Sequence, residues 1–179
     1  MRITGGSWRG RRLKPMKSFK GRPTTDFARE GLFNLLRTRI ELDGARVLDL
    51  FAGTGMVGVE CASRGATTIT GIEKQRNACN YIRSCYEELG FEGSKVINMN
   101  VFKYLDSVRG SYDLVFADPP FDLKNLAKIP ESIHSSGVLA QDGLFVLEHG
   151  DSYNFDGTPG FVEMRKYGHV HFSFFTFES

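Results

Sequence analysis

Residues 46–149 alternate between short apolar runs of strand length and stretches with helical spacing, and few architectures accept such a chain. Runs at 46–50, 67–73, 95–99, 112–117 and 144–149 read as five buried strands. Between them lie a short helix over 56–63, a long one over 75–89, a helical turn over 102–107 and a helix over 123–135. Parallel strands joined in this way are covered by helices on both faces and collect ligands at their carboxyl ends. The C-terminal part breaks the pattern. Segments 161–166 and 169–177 are β-rich and separated by Tyr167-Gly168, which predicts an antiparallel hairpin. The expected fold class is α/β, a mostly parallel sheet closed by that hairpin.

Ahead of this body the charge is lopsided. Residues 1–22 carry eight Lys and Arg side chains and no acidic one, while everything after Arg46 is net negative. Residues 1–14 (MRITGGSWRGRRLK) read as a hairpin, with Gly5-Gly6 as the turn and Arg9, Arg11 and Arg12 displayed around Trp8. Arg2, Arg9, Arg11, Arg12, Lys14 and Arg22 are the candidate contacts to a polyanion such as RNA. Trp8 either stacks on that partner or pins the hairpin to the domain. The alternatives are a solvated arm and a transit peptide, although two strands broken by glycines make a poor amphipathic helix. A flexible connection over 14–22 leads to a helix over 27–40, capped by Thr24 or Thr25. The chain thus divides into a basic arm and linker, 1–22, and one domain, 23–179.

The 179 residues make one domain, long enough to bury roughly 70% of the unfolded surface without staples. Cys61, Cys79 and Cys85 are odd in number and lack paired ligand spacing, which suits reduced thiols in a cytoplasmic protein. No run approaches the ~18 apolar residues of a membrane span. His169-x-His171 puts two imidazoles on one strand face with no third ligand at suitable spacing, so no metal is expected. Glu148-His149 ends the fifth strand and either lines a pocket or is structural.

Two loops carry the chemistry. The first strand runs into Asp49-Leu50-Phe51-Ala52-Gly53-Thr54-Gly55, where glycines allow a tight turn and a close backbone approach to a ligand at a helix start. Glu73 ends the second strand, where a carboxylate accepts both ribose hydroxyls of an adenosine cofactor. Gly53, Gly55 and Gly58 also fit G-x-G-x-x-G, so a dinucleotide-binding oxidoreductase competes on these residues. Asp49 argues otherwise, since a carboxylate ahead of the glycines suits an amino-acid ammonium better than a pyrophosphate.

The fourth strand ends in Asp118-Pro119-Pro120-Phe121. Two prolines in series cannot continue a ladder, so the backbone is stiff and its carbonyls are expected to be unpaired. A carboxylate, an exposed carbonyl and the Phe121 ring on one corner suit a flat ligand bearing an amino group, which hydride transfer does not need.

The tetrapeptide resembles the [D/N]-P-P-[F/Y] motif of methyltransferases that modify exocyclic amines of nucleobases, and D-x-F-x-G-x-G resembles their S-adenosylmethionine loop. Parallel units closed by a hairpin resemble the seven-stranded Rossmann-like methyltransferase fold. Over nearly its whole length the chain resembles the RsmD-type 16S ribosomal RNA guanine-N2 methyltransferases: MRITGGSWRGRRLK, RPTTDFAREGLFNLL, DLFAGTG, Glu73, DPPF, LFVLEHG and MRKYG carry the likeness. The resemblance implies S-adenosylmethionine held by Asp49, Phe51, Ala52, Gly53, Thr54, Gly55 and Glu73. It places Asn100 and the Val101 backbone at the adenine, with Asn where the family commonly has an acidic residue. Asp118, Pro119 and Phe121 would hold the target base. The implied partner is ribosomal RNA or a small-subunit assembly intermediate, met by a monomer. A DNA amino-methyltransferase and an inactive RNA-binding protein of the same fold are the alternatives, the first lacking room for a target-recognition domain.

Overall fold

The computed structural model describes residues 1–16, 25–108 and 110–177; Arg22, the alternative cap Thr24 and the 22/23 boundary lie outside them. Helix α1 (Asp26–Leu36) is capped by Thr25, whose side chain accepts from the Ala28 amide at 3.2 Å. Then follow β1 (Arg46–Leu50), α2 (Met56–Ser63), β2 (Thr68–Glu73), α3 (Arg76–Leu89), β3 (Ser94–Asn98), α4 (Val101–Ser107) and β4 (Tyr112–Ala117). A 3-10 turn (Leu126–Lys128), α5 (Ile129–Ser136), β5 (Leu139–His149), β6 (Phe161–Tyr167) and β7 (Val170–Phe175) complete the chain.

One seven-stranded sheet has the order β3-β2-β1-β4-β5-β7-β6. Strands β1 to β5 are parallel, and β7 runs antiparallel to both β5 and β6. The expected fold class is the observed one. Dinucleotide-binding domains run 3-2-1-4-5-6 without an inverted strand between the fifth and the edge. The two faces bury separate cores. One holds α1, α2 and α3 against Val47, Ile69, Phe116, Val146, Phe172 and Phe174; the other holds α4 and α5 against Leu48, Leu50, Val115, Phe145, Leu147 and Phe175.

Element bounds differ from expectation where local chemistry competes with pattern. α1 ends at Leu36, because 38–40 tighten into a last turn: Thr38 donates to Leu35 at 3.3 Å and Arg39 to Leu36 at 2.9 Å. The helix expected from 123 begins at Ile129, since Pro120 accepts from Leu123 and the chain turns before Pro130 enters the first turn of α5. β5 starts five residues before the expected 144. Asp142 takes φ 59°, and the ladder continues past a register shift between Tyr112 and Leu114.

The basic hairpin exists as a bridge between Arg2 and Arg12, with Ile3 donating to Arg11 and Leu13 to Met1, both at 2.9 Å. It is docked rather than detached. Ile3 and Leu13 are buried in the α1–α2–α3 core, and each such side chain contributes about 1.5–3 kcal/mol. Gly6 takes φ +75°, and a Cβ there would stand 1.8 Å from the Ser63 carbonyl oxygen, so this glycine is needed for contact with α2 as much as for the turn. Ser7 donates to that carbonyl at 2.6 Å, and the Trp8 amide donates to Ser63 Oγ at 2.9 Å. Beneath them Glu60, fully buried, accepts from the Thr4 amide, Arg29 and Arg64.

Candidate active site

The carboxyl edge of the sheet gathers most of the chemistry-bearing residues into one row. Leu50 pairs with Ile72 on one side and Ala117 on the other, and Ala117 pairs with Leu147. One residue beyond those pairs stand Glu73, Phe51, Asp118 and Glu148, at the carboxyl ends of strands that lie about 4.8 Å apart. Asp49 lies two residues back in β1, and Asn100 opens the helix after β3.

The glycine loop is shaped by β1 and β2 together. The Gly53 amide donates to Glu73 Oε2 at 3.0 Å, and Gln75 donates to Oε1 at 2.7 Å. Ala52 donates to the Ile72 carbonyl at 3.0 Å. Phe51 takes φ 58°, a left-handed conformation that costs a non-glycine residue of order 1–3 kcal/mol and is held by these bonds. Gly55 caps α2 at φ 71°, where a side chain would also press on Ile82 at 2.9 Å. Thr54 is buried in the same turn, and Gly53 and Ala52 are half-buried.

Asp49 is buried and accepts from the Gly58 amide at 3.3 Å. Burial holds its carboxyl well above the usual range; the Gly58 amide opposes this, while Asp118 and Glu73 add to it. Three carboxylates thus face a common region, and the group that relieves their repulsion is a cation. A ligand that carries positive charge and hydroxyl groups fits that set of acceptors. Gly58, the last glycine of the pattern, serves helix–strand packing: a Cβ there would meet Tyr86 Oη at 2.5 Å and Ile69 at 2.8 Å.

After β3, Asn100 caps α4, its Oδ1 accepting from Phe102 at 3.0 Å and Lys103 at 3.3 Å. That oxygen is already engaged, and the Val101 amide is among the first-turn donors that a helix leaves without an intrahelical partner. Sequence reasoning missed Asn98, whose amide donates to the Glu73 and Lys74 carbonyls at 3.0 and 2.8 Å and fixes the chain that carries Glu73.

At the other end, the Asp118 amide donates to Leu50 at 3.3 Å, extending the ladder one residue past β4. The two proline carbonyls differ. That of Pro120 closes a turn by accepting from Leu123 at 2.9 Å, whereas among the described residues no backbone N–H is directed at Pro119. The Phe121 ring is half exposed and lies over Gly150, where a Cβ would meet it at 3.3 Å. A glycine directly after a buried strand was the signal for this seat.

Glu148 and His149 are buried. His149 sits beneath the edge: Nδ1 lies 2.8 Å from the Gly150 carbonyl, Nε2 2.8 Å from Ser173 Oγ, and Phe155 packs edge-on at 5.0 Å. The three cysteines are buried and free, and burial pushes the Cys61 thiol up. Among the described residues no group of three or more His, Cys, Asp or Glu side chains could hold a metal ion. A cavity of about 520 Å³ between α4 and α5, lined by Phe102, Asp106 and Glu131 among others, holds none of the site carboxylates.

The basic residues are spread over the α1–α3 face. Arg2 pairs with Glu30 at 3.0 Å, and Arg11 donates to the Glu88 carbonyl at 3.2 Å. Among the described residues no ion pair holds Arg9, Arg12 or Lys14, and all three are exposed. Trp8 packs edge-on against Phe91 at 5.9 Å, which pins the hairpin tip. The tip therefore lies by the ends of α2 and α3, at the amino edge of the sheet and a helix length of about 12 Å from the glycine loop.

Comparison with known proteins follows the same lines. Residues 1–176 match the family described as Conserved hypothetical protein 95. The Ribosomal RNA small subunit methyltransferase D of Escherichia coli K12 is 37% identical over 148 residues, covering 83% of this chain and 74% of its own length. The protein of that name from Buchnera aphidicola subsp. Baizongia pistaciae is 30% identical, covering 89% and 81%. The solved structure of a Thermus hypothetical protein, TTHA0928, superposes with a TM-score of 0.84 at 31% identity, covering 98% of each chain.

Proposed function

This chain belongs to the Conserved hypothetical protein 95 family, which its relatives identify as that of the small-subunit ribosomal RNA methyltransferases D, and from that premise we propose that it methylates the exocyclic N2 amine of a guanine in 16S ribosomal RNA, using S-adenosylmethionine. The observation that carries the proposal is the row Glu73, Phe51, Asp118 at one sheet edge, with the Pro119 carbonyl beside it. Asp49 and Glu73 would hold the cofactor's ammonium and ribose, Phe51 to Gly55 its body, and the Val101 amide its adenine, with Asn100 holding the first turn of α4 in place through its cap. Bound there, the cofactor supplies an electrophilic methyl group.

The residues of this chain do the rest by orientation. A guanine N2 amine is a weak nucleophile because its lone pair is delocalised into the ring. Asp118 and the Pro119 carbonyl accept its two N–H bonds and turn nitrogen toward a tetrahedral geometry. Such alignment supplies up to ~7–11 kcal/mol of a barrier in favourable cases. The amine proton becomes acidic on transfer and leaves to Asp118 or water, so no separate base is needed. Phe121 stacks on the base, which has to leave its own stack to reach the corner. Arg2, Arg9, Arg11, Arg12, Lys14 and Arg22, in the arm ahead of the domain, contact phosphates and contribute salt-dependent affinity.

The proposed substrate is naked RNA or an assembly intermediate in which the target is unpaired, acted on by a monomer, since one chain supplies the whole edge row. The proposed location, the cytoplasm, follows from that substrate. Transfer of tritiated methyl from S-adenosylmethionine to 16S RNA and to DNA, with the product nucleoside identified, tests this. N2-methylguanosine from RNA is expected. A methylated adenine or cytosine in DNA selects the amino-methyltransferase alternative, and RNA binding without transfer selects an inactive binding protein.

A further inference from the structure

The stacking face of the proposed site is the Phe121 ring, which follows two prolines and is 46% exposed. A ring that open turns about its own side-chain torsions unless something beneath it sets its plane. What lies beneath is Gly150, where a Cβ would meet the ring at 3.3 Å. The floor of the base site is therefore backbone. Its tilt is set by the peptide that leaves Gly150, and the carbonyl of that peptide has a dedicated partner in His149.

His149 ends β5 and is buried. Its Nδ1 lies 2.8 Å from the Gly150 carbonyl oxygen and its Nε2 2.8 Å from Ser173 Oγ of β7. A carbonyl only accepts, so Nδ1 carries the proton and Nε2 takes the serine hydroxyl. Phe155 and Tyr153 meet the imidazole edge-on at 5.0 and 6.3 Å, so the chain beyond Gly150 folds back over it. Gly150 is the bend between strand and return. The rest of this face is apolar, with Phe145, Leu147 and Phe175 in the same core. An aliphatic side chain would pack there without desolvating two ring nitrogens, so packing alone does not call for histidine. The cross-strand neighbour His171 shows the contrast, since neither of its nitrogens has a protein partner among the described residues.

We propose that His149 is a positioning residue for the target base: by donating to the Gly150 carbonyl it fixes the floor under Phe121, and with it the plane in which the base stacks beside Asp118 and Pro119. This rests on the RNA methyltransferase function proposed above. Ser173 holds the imidazole from behind, and Gly150 passes its position on because it has no side chain to lift the ring. His149 lies beneath the edge and moves no proton in transfer.

The test is a double-mutant cycle read in methyl transfer to 16S RNA, with S-adenosylmethionine affinity measured beside it. His149→Leu and Phe121→Ala should each lower kcat/KM for RNA about tenfold, the worth of one stacked base, with cofactor affinity unchanged. In the Phe121→Ala background His149→Leu should lower it no further, because the ring that it places is gone. His149→Asn, whose side-chain amide donates from the place of Nδ1, should restore most of the wild-type value. Gly150→Ala, which lifts the ring without touching His149, should behave as His149→Leu does in both backgrounds. Should His149→Leu not fold, Ser173→Ala, which frees the imidazole and leaves its packing, completes the same cycle. Equal losses with and without the Phe121 ring overturn the proposal, since a merely structural histidine acts in either background. A wild-type kcat/KM for Phe121→Ala also overturns it, while methyl transfer itself stands. If the wild type transfers no methyl group to RNA, the function falls and the positioning role with it.

Discussion

The Gly53 amide donates to the Glu73 carboxylate at 3.0 Å, so the residue that would receive the ribose also pins the glycine loop that would receive the rest of the cofactor. The second oxygen of Glu73 is held by Gln75, and the Asn98 amide holds the Glu73 carbonyl. Loop and carboxylate are thereby set before a ligand arrives, which lowers the ordering cost of binding.

Glu73→Ala should accordingly weaken S-adenosylmethionine binding by more than the lost ribose contacts, since it also frees the loop. Titration calorimetry should show affinity falling at least about tenfold, with a larger entropic penalty than for wild type. Unchanged affinity would remove Glu73 from the cofactor site.

Asp49→Asn separates stability from function. Burial raises the carboxyl of Asp49 above its unfolded value of 3.8, so its contribution to stability is complete below that value and is lost as pH rises through the folded one. At neutral pH without cofactor the charge is a liability, and Asn removes it. The variant should melt above wild type at pH 7, the gap should close toward pH 4, and cofactor affinity should drop. A variant less stable than wild type at pH 7 would mean that the Gly58 bond outweighs desolvation.

Asp118→Ala should abolish methylation while cofactor affinity stays within about tenfold, because Asp118 acts chiefly on the target amine. Near-normal turnover would take this corner out of the chemistry.

Buried histidines give the fold an acid limit. Burial lowers both His149 and His171 below 6.5; the Gly150 carbonyl opposes the effect at His149, whereas Lys166 adds to it and Asp151 opposes it at His171. Because Gly150 offers only an acceptor, His149 carries its proton on Nδ1 and accepts from Ser173 through Nε2. Neutral rings are favoured in the fold, so stability holds above pH 6.5 and declines as pH falls toward the folded values. Melting temperature should fall between pH 7 and 5, and His171→Asn, at a ring whose nitrogens lack a protein partner, should flatten that slope.

The parallel body was legible because its strands are buried on both faces and read as plain apolar runs, as at Tyr112–Ala117. The glycine loop and the Asp118 corner were legible because glycine and proline restrict backbone in ways that sequence shows directly. What sequence could not show depends on pairing across the sheet. Gly150 matters through Phe121, Gly31 through Tyr167, and Asp142 through a bulge, and none of these partners is near in sequence. The docking of the hairpin was hidden in the same way, since Ile3 and Leu13 are two apolar residues among eight charges.

That docking makes charge and attachment separable at the hairpin. The positive charge of Arg9, Arg11 and Arg12 is exposed, while attachment comes from Ile3, Leu13 and the bonds to Glu60 and Ser63. Replacing the three arginines with Ala should weaken RNA binding and flatten its salt dependence by roughly 0.7–0.9 in log–log slope per lost phosphate contact. Stability should stay within about ±0.5 kcal/mol, because Arg11 gives up only an exposed bond to Glu88. Ile3→Ala should do the reverse at first measurement: it empties a fully buried site and should cost about 2–5 kcal/mol in denaturant unfolding. At temperatures where it remains folded, its salt slope should match wild type, since no charge is lost. Should the triple variant unfold, the arginines hold the hairpin; should it keep the full slope, RNA lies on another face.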